Sequence, residues 1–276
     1  MSLAIVGIRK FWTRSATLVS ILLVIGFVVL EFVAVGAGYR SGGTASTGLD
    51  KDTVTWFLSF PTAFDAILVI VYEFVAIVGL IYIATASGSE WSWGTLKVAV
   101  ARGESRWHYT VSTFASLSII LLAGMLIAFL VGIAAVVVGA SIAGLPVGNP
   151  ADPAQFAQVA VKLARCWIAL MALTSVGYAV AMIAKNQMAG IGTVIVYFVV
   201  SILSQALLPD IIKQVLKYQP FNITADAIGL AGPPTGGVAS SAAAVEPNLA
   251  FLISIGWLVA LVGITALSVE RTEITG

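Results

Sequence analysis

Residues 62–106 read TAFDAILVIVYEFVAIVGLIYIATASGSEWSWGTLKVAVARGESR, an apolar run (62–86) followed by a segment rich in Gly, Trp and charged side chains. A helix that crosses a bilayer needs about 20 predominantly apolar residues, and the first part of the stretch reaches that length. Charged side chains are costly inside the hydrocarbon layer, so residues 87–106 belong at the membrane surface. The stretch therefore predicts a membrane-spanning helix that ends in a structured surface segment.

The same apolar pattern recurs along the whole chain of 276 residues. Hydrophobic residues make up 59% of the sequence and charged residues only 10%, with a mean hydropathy of +1.03. Soluble domains carry about 25% charged residues. Six runs are long enough to cross a bilayer, at about 15–37, 62–86, 111–139, 163–184, 188–208 and 249–269. We therefore expect an all-α integral membrane protein with six transmembrane helices in a single domain, 1–276.

Composition excludes several kinds of site. The net charge of +1 gives no field that would attract nucleic acid. Cys166, the only cysteine, lies inside the fourth run, where we predict a small buried side chain, and His108 is the only histidine. An intrachain disulfide, a metal site and a catalytic triad are therefore not expected. We predict that the chain is not an enzyme and binds no cofactor itself.

Basic residues at the ends of the spans predict the orientation, because cytoplasmic loops are enriched in Lys and Arg. One alternating set of flanking segments holds Arg9, Lys10, Arg14, Lys97, Arg102, Arg106, Lys185 and Arg271. The other set is smaller and holds Arg40, Lys51, Lys162, Arg165, Lys213 and Lys217. Both termini are therefore predicted to be cytoplasmic.

Short segments outside the six runs have features of their own. Residues 3–14 place apolar side chains beside basic ones, which predicts either an interfacial helix under the cytoplasmic leaflet or a plain basic flank. Residues 209–218 have an amphipathic helical period, and a second short helix follows within 209–230. We expect these short extracellular helices to rest at the outer interface before the last span. The stretch SGGTASTG (41–48) is typical of a flexible loop.

The glycines of the surface segment resemble a nucleotide-binding loop, but their spacing excludes one. A Walker loop has the pattern G-x-x-x-x-G-K-[ST] and follows a strand. Here five residues separate Gly88 from Gly94, and Thr95 and Leu96 stand before Lys97. The sequence therefore predicts no ATP-binding site of this kind in the chain.

A helical reading divides the surface segment into two stripes. The apolar stripe, expected to face lipid or protein, consists of Trp93, Leu96 and Val100. The other stripe, expected to face the cytoplasm, consists of Glu90, Gly94, Lys97 and Ala101. Gly103 is then a helix stop and Ser105 an N-cap for the third span. The alternative is an ordinary charged loop with aromatic anchors at the interface.

The pattern Glu90-x-x-x-Gly94-Thr95-Leu96, followed by Arg102-x-x-Ser105-Arg106, resembles the permease subunits of ATP-binding-cassette exporters of the second permease type. The N-terminal helix and the paired outer helices are similar to that family in outline. The resemblance implies that residues 88–106 are a cytoplasmic coupling helix that docks on a separate ATPase subunit. The residues it assigns to this contact are Glu90, Gly94, Thr95, Leu96, Lys97, Arg102, Ser105 and Arg106. We expect Glu90 and Arg106 to pair with ATPase side chains, and Gly94 to permit a close backbone approach.

The resemblance also implies partners and a location. Two copies of the ATPase subunit would bind ATP and Mg and carry out the hydrolysis. A second permease copy, identical or a close paralogue, would complete the assembly among membrane lipids, without nucleic acid. The location implied is the plasma membrane, as the inner membrane of a prokaryote.

Acidic residues interrupt the first two spans. Glu31 lies in the first span, and Asp65 and Glu73 lie in the second. Ionisable groups at membrane depth usually face protein or a water-filled cavity. Lys162 and Arg165 stand at the outer end of the fourth span, where pairing with these carboxylates is possible. The five residues either line a substrate path or form structural ion pairs, and Glu73, the deepest, is the best candidate for a functional carboxylate.

Two other functions are consistent with the sequence. One is a stand-alone ion- or proton-coupled carrier or channel that uses Glu31, Asp65 and Glu73. Against it, spans one to three and four to six show no internal repeat of the kind found in many carriers. The other is a structural or sensory membrane scaffold without an ATPase partner.

Overall fold

The computed structural model describes residues 3–42, 50–206, 214–230 and 245–272. Its helices are α1 (Leu3–Trp12), α2 (Ser15–Gly42), α3 (Lys51–Leu58), α4 (Ala63–Ser92), α5 (Thr95–Ala101), α6 (Arg106–Ala143), α7 (Pro153–Ile183), α8 (Gln187–Ala206), α9 (Pro220–Ile228) and α10 (Pro247–Arg271). No strand occurs in these ranges. The predicted all-α class is therefore confirmed for the part of the chain that is described.

Five of the helices are long and apolar enough to cross a membrane, namely α2, α4, α6, α7 and α10. They coincide with the first, second, third, fourth and sixth predicted runs, so the prediction of a membrane-embedded protein is confirmed. Helix α8 (Gln187–Ala206) coincides with the fifth run.

Several spans extend beyond the predicted apolar runs, and α7 and α4 are two of them. Helix α7 begins at Pro153 because the Asp152 side chain accepts a hydrogen bond from the backbone N–H of Ala154, and proline suits the first helical position. Residues 153–162, which precede the predicted fourth run, are thus helical. Similarly, α4 continues to Ser92, so residues 87–92 prolong the second span instead of beginning a separate surface helix. Hydropathy detects only the part of a helix that crosses the hydrocarbon layer.

Helix α4 lies at the centre of the bundle and packs against α2, α6, α7 and α8. Ile67, Leu68 and Leu80 on α4 are fully buried. In the most apolar part of α4, 67% of the residues are buried. The corresponding share is 22% in α2 and 22% in α10. Helices α2 and α10 therefore present most of their surface outward.

Helices α2 and α6 cross at a pair of glycines. A Cβ atom on Gly36 would lie 2.3 Å from the carbonyl oxygen of Gly139, and a Cβ atom on Gly139 would lie 2.5 Å from the carbonyl oxygen of Phe32. No side chain fits at such distances, so the two backbones touch at this point. Small residues are what permit this close approach between membrane helices.

Helix α9 provides the second of the two predicted outer helices, but it is buried in the bundle. Ile223, Thr224 and Ala227 are 0% exposed, and Thr224 Oγ1 lies 2.7 Å from Tyr72 Oη on α4. The apolar side of this helix is covered by α7 and α10. The first outer helix (209–218) and the loop at 41–48 lie largely outside the described residues.

Candidate functional site

The carboxylate of Glu90 lies at the centre of a cluster that joins α1, α4, α5 and α6. Its side chain is 0% exposed. Lys10 Nζ lies 2.6 Å from Oε2 and 2.8 Å from Oε1, and Arg14 Nη2 lies 3.2 Å from Oε1. Thr95 Oγ1 donates to Oε2 at 2.7 Å, and the Tyr109 hydroxyl donates to the same oxygen. These five residues are termed the Glu90 cluster.

Each member of the Glu90 cluster stands at or near the end of a helix. Lys10 is in the last turn of α1, and Arg14 follows four residues later in the turn before α2. Glu90 is in the last turn of α4, and Thr95 is the first residue of α5. Between them Gly94 has a φ of 66°, a left-handed conformation that favours glycine. The chain can therefore reverse sharply and return the Thr95 hydroxyl to the Glu90 carboxylate.

Aromatic rings hold the Arg14 side chain in place. Its guanidinium carbon lies 4.6 Å from the ring centroid of Phe11 and 4.7 Å from that of Trp93. Both distances are within the range of cation–π attraction. Phe11 is buried, whereas Trp93 is 64% exposed, so Trp93 covers this part of the cluster from outside.

The cluster stabilises a charge that would otherwise be costly to bury. An ionised carboxylate without partners is strongly disfavoured inside a protein. Here two cations and two hydroxyl donors surround it, and the partners come from different helices. The ends of α1, α4, α5 and α6 are therefore linked as one unit.

Several residues expected to contact a partner instead direct their side chains to groups within the chain. Glu90 is enclosed by its cluster, and Leu96 is 0% exposed. Arg106 Nη1 donates to the backbone carbonyl of Glu270 at 3.1 Å and to that of Thr272, where α10 ends. This differs from the expectation that Glu90 and Arg106 present their charges outward. The physical reason is that a buried carboxylate and the unpaired carbonyls of a helix end both require partners.

Two backbone predictions for the surface segment, the Ser105 cap and the Gly103 stop, agree with the structure. Ser105 accepts a hydrogen bond from the backbone N–H of His108 at 3.2 Å and caps α6. Gly103 follows α5 with a φ of 92°. A Cβ atom on Gly94 would meet nothing within 4 Å, so the turn conformation, and not a close approach within the chain, requires glycine there.

Helix α5 leaves a set of side chains exposed on its outer side. Val98 is 50% exposed, and Lys97 and Arg102 are also exposed, beside the exposed ring of Trp93. Leu96, on the opposite side, anchors the helix in the apolar core formed with Phe114 and Leu117. Trp93, Lys97, Val98 and Arg102 are termed the α5 face. It combines two large apolar groups with two positive charges.

Of the five acidic and basic residues singled out within the spans, Asp65 and Lys162 form an ion pair. Lys162 Nζ lies 2.5 Å from Asp65 Oδ1. Arg165 instead donates to the Asn248 side chain at 2.5 Å, and its guanidinium carbon lies 5.4 Å from the centroid of the Phe251 ring. Asp65 and Lys162 thus form an ion pair, and Arg165 connects α7 to α10.

Glu31 and Glu73 form a different arrangement. Both are exposed on neighbouring spans, α2 and α4, and they are close enough to interact electrostatically. Within the described ranges neither makes an ion pair or a side-chain hydrogen bond. Beside them the rings of Phe27 and Phe74 are stacked at 4.6 Å. The structure therefore brings these two carboxylates together and separates them from Asp65.

Sequence reasoning missed Lys10, Arg14 and Tyr109 as partners of Glu90. The basic residues had been assigned only to orientation. A usable signal was present, because the orientation prediction places Lys10 and Arg14 on the same side of the membrane as the end of the second span.

Among the described residues, no group of three or more His, Cys, Asp or Glu side chains could hold a metal ion.

Comparison with known proteins identifies a family over most of the bundle. The family described as a protein of unknown function (DUF2705) matches residues 57–224. The match extends from the end of α3 into α9 and includes Glu90, the α5 face and the Asp65–Lys162 pair. No curated protein matches the chain.

Proposed function

The chain belongs to the DUF2705 family, and we propose that it is the transmembrane permease subunit of an ATP-driven transporter, an exporter of the ATP-binding-cassette type. The observation that carries the proposal is the α5 face. It is an exposed apolar and basic surface formed by a seven-residue helix and the residues beside its two ends, between two membrane spans. An exposed surface with Trp and Arg is typical of a protein contact.

The Glu90 cluster supports this role because it connects the α5 face to the spans. A force on α5 is transmitted through Thr95 to Glu90 on α4 and from there to Tyr109 on α6 and Lys10 on α1. A set of helix ends linked in this way moves as a rigid body rather than bending at one loop. Closure of two ATPase subunits would then displace the second and third spans together.

The chemistry of the α5 face indicates the kind of groove that receives it. Trp93 and Val98 require an apolar floor, and Arg102 requires an acidic rim. The ATPase subunit, in two copies, supplies this groove, binds ATP and Mg, and carries out the hydrolysis. The chain itself then has no enzymatic activity and needs no cofactor of its own.

The remaining architecture follows from the same proposal. Helix α8 also crosses the membrane as the fifth span and brings the number of spans to six. Helix α1 lies along the cytoplasmic leaflet, and both termini face the cytoplasm of a prokaryotic cell. A second permease copy covers the outward surfaces of α2 and α4. Glu31 and Glu73 support this contact, because exposed carboxylates at membrane depth are unfavourable against lipid and need protein or water beside them.

The Val98→Glu variant tests the proposal. We expect affinity purification of the tagged chain from its source cells to yield an ATPase subunit with a Walker loop. In nanodiscs, Val98→Glu should lower the ATPase activity of this complex at least about tenfold or release the ATPase, because it places a carboxylate in the centre of the contact.

The matched control is Val215→Glu, the same substitution at an exposed valine in the predicted outer segment (70% exposed), which should leave the complex intact. A Val98→Glu complex with full ATPase activity would contradict the proposal, as would purification without any ATPase.

One observation favours a second candidate function, a stand-alone proton- or ion-coupled carrier or channel. Glu31 and Glu73 are adjacent and carry no counter-ion within the described ranges, which suits reversible protonation. Asp65 no longer belongs to this set, because Lys162 neutralises it.

Flux measurements on the isolated chain separate the two candidates. We expect the purified chain alone, in liposomes with a proton gradient and a pH-sensitive dye, to give no flux above empty liposomes. Glu73→Gln should then change nothing. A proton flux that Glu73→Gln abolishes and Glu104→Gln leaves intact would establish the carrier and overturn the permease proposal.

A further inference from the structure

A polar cleft of about 170 Å³ lies between the first turn of α4 and the first part of α7. Asp65 and Lys162 contribute an ion pair to its wall, and Gln155 and Gln158 contribute two carboxamides. The cleft is at the opposite end of α4 from Glu90, so it is separate from the proposed coupling surface.

The cleft offers hydrogen-bond donors and acceptors that the chain does not use. Lys162 donates to one oxygen of Asp65, Oδ1. The second oxygen of Asp65 and part of the Lys162 ammonium group can therefore bind a ligand. The side-chain amides of Gln155 and Gln158 make no hydrogen bond within the described ranges. A carboxamide both donates and accepts. The wall of the cleft is therefore suited to ligand groups that both donate and accept hydrogen bonds, and the hydroxyl is the simplest such group.

The charge balance of the cleft restricts the ligand further. The side chains of Lys162 and Asp65 are 27% and 14% exposed, and they neutralise each other. An ion attracted by one member of this pair would be repelled by the other, whereas a neutral ligand binds beside both. Pro61 and Phe64 add an apolar side. The volume is below the roughly 300–1,000 Å³ of sites for drug-sized ligands, so the cleft suits one ring.

We propose that this cleft binds a neutral, hydroxyl-rich ring, a single sugar residue. The sugar is either free or the headgroup of a glycolipid, because both present the same hydroxyls. Gln155 and Gln158 form hydrogen bonds with the sugar hydroxyls. Asp65 and Lys162 also form hydrogen bonds with them, and their ion pair stays intact. This site does not depend on the proposed ATPase contact.

Binding to the full chain in lipid nanodiscs tests the site, with maltoside detergents removed because they carry sugar. Saturation-transfer NMR with methyl glucoside, galactoside and mannoside reports the free sugar. Native mass spectrometry of nanodiscs with monoglucosyl diacylglycerol reports the glycolipid. We expect one of the two probes to bind, and the double variant Gln155→Met, Gln158→Met to weaken that binding about tenfold by removing its hydrogen bonds.

The control is Gln214→Met, at an exposed glutamine outside the cleft, which should leave binding unchanged. Equal thermal unfolding midpoints of the variants would show that the fold is intact. Binding of the methyl glycosides indicates a free sugar, and binding of the glycolipid alone indicates a headgroup. The proposal is overturned if neither probe binds, if the double variant binds as well as the wild type, or if phosphocholine binds more tightly than the sugars.

Discussion

Replacement of Glu90 with alanine should lower the thermal unfolding midpoint of the purified protein by about 6 °C or more. The substitution removes the centre of the Glu90 cluster and leaves Lys10 and Arg14 beside each other without their counter-ion. Breaking a buried ion pair by removing one partner costs about 3–5 kcal/mol. A loss of 1 kcal/mol shifts the midpoint of a chain of this size by roughly 2–4 °C. Scanning fluorimetry in detergent measures the shift.

Hydrogen exchange provides a second measure of the same variant. With the carboxylate gone, α1 loses its polar contact to α4, and its backbone amides should exchange faster than in the wild type. The control is Glu104→Ala, whose side chain is 39% exposed and lies 3.8 Å from the His108 imidazole. An exposed pair contributes less than about 1 kcal/mol. If Glu90→Ala is no more destabilising than Glu104→Ala, the cluster does not hold these helices together.

Replacement of Gly36 with alanine should destabilise the bundle by about 3 kcal/mol, because α2 and α6 would have to separate. The added Cβ atom would lie 2.3 Å from a backbone oxygen, and backbone cannot rotate away as a side chain can. Forcing extra atoms into a packed contact typically costs about 1–3 kcal/mol, occasionally more. The change in free energy is measured by reversible unfolding in mixed micelles.

Gly26 on the same helix is the matched control. A Cβ atom there would meet nothing within 4 Å, and alanine favours a helix by up to about 1 kcal/mol over glycine. Gly26→Ala should therefore be neutral or stabilising. Equal effects of the two substitutions would mean that the close crossing of α2 and α6 is not a feature of the protein in solution.

The features that the sequence predicted correctly depend on neighbours along the chain. A membrane span is recognised by the length of its apolar run, since the thickness of the bilayer is constant. The Ser105 cap and the Gly103 stop are also local, because each serves backbone groups within a few residues. Pairing of Asp65 with Lys162 was considered from the sequence because both residues stand at the predicted outer ends of their spans.

The features that it did not predict depend on distant residues. Lys10 and Glu90 are separated by 80 positions. The prediction that Glu90 faces outward assumed that residues 90–101 form one helix. The break at Gly94 ends that period, so Glu90 belongs to α4 and points into the bundle. The burial of Ile223 and Ala227 on α9 likewise depends on distant residues, because α7 and α10 cover that side of the helix.

The sequence by itself determined that the chain is helical, that it lies in a membrane, and where most of its spans run, because each span must satisfy its own backbone and apolar length. Only the tertiary structure decided which charges are enclosed and which are presented. Glu90 became an internal link between four helices, the α5 face became the exposed surface, and Glu31 and Glu73 came together on adjacent spans. The reason is that burial depends on which helices pack together, and packing joins residues that no local period relates.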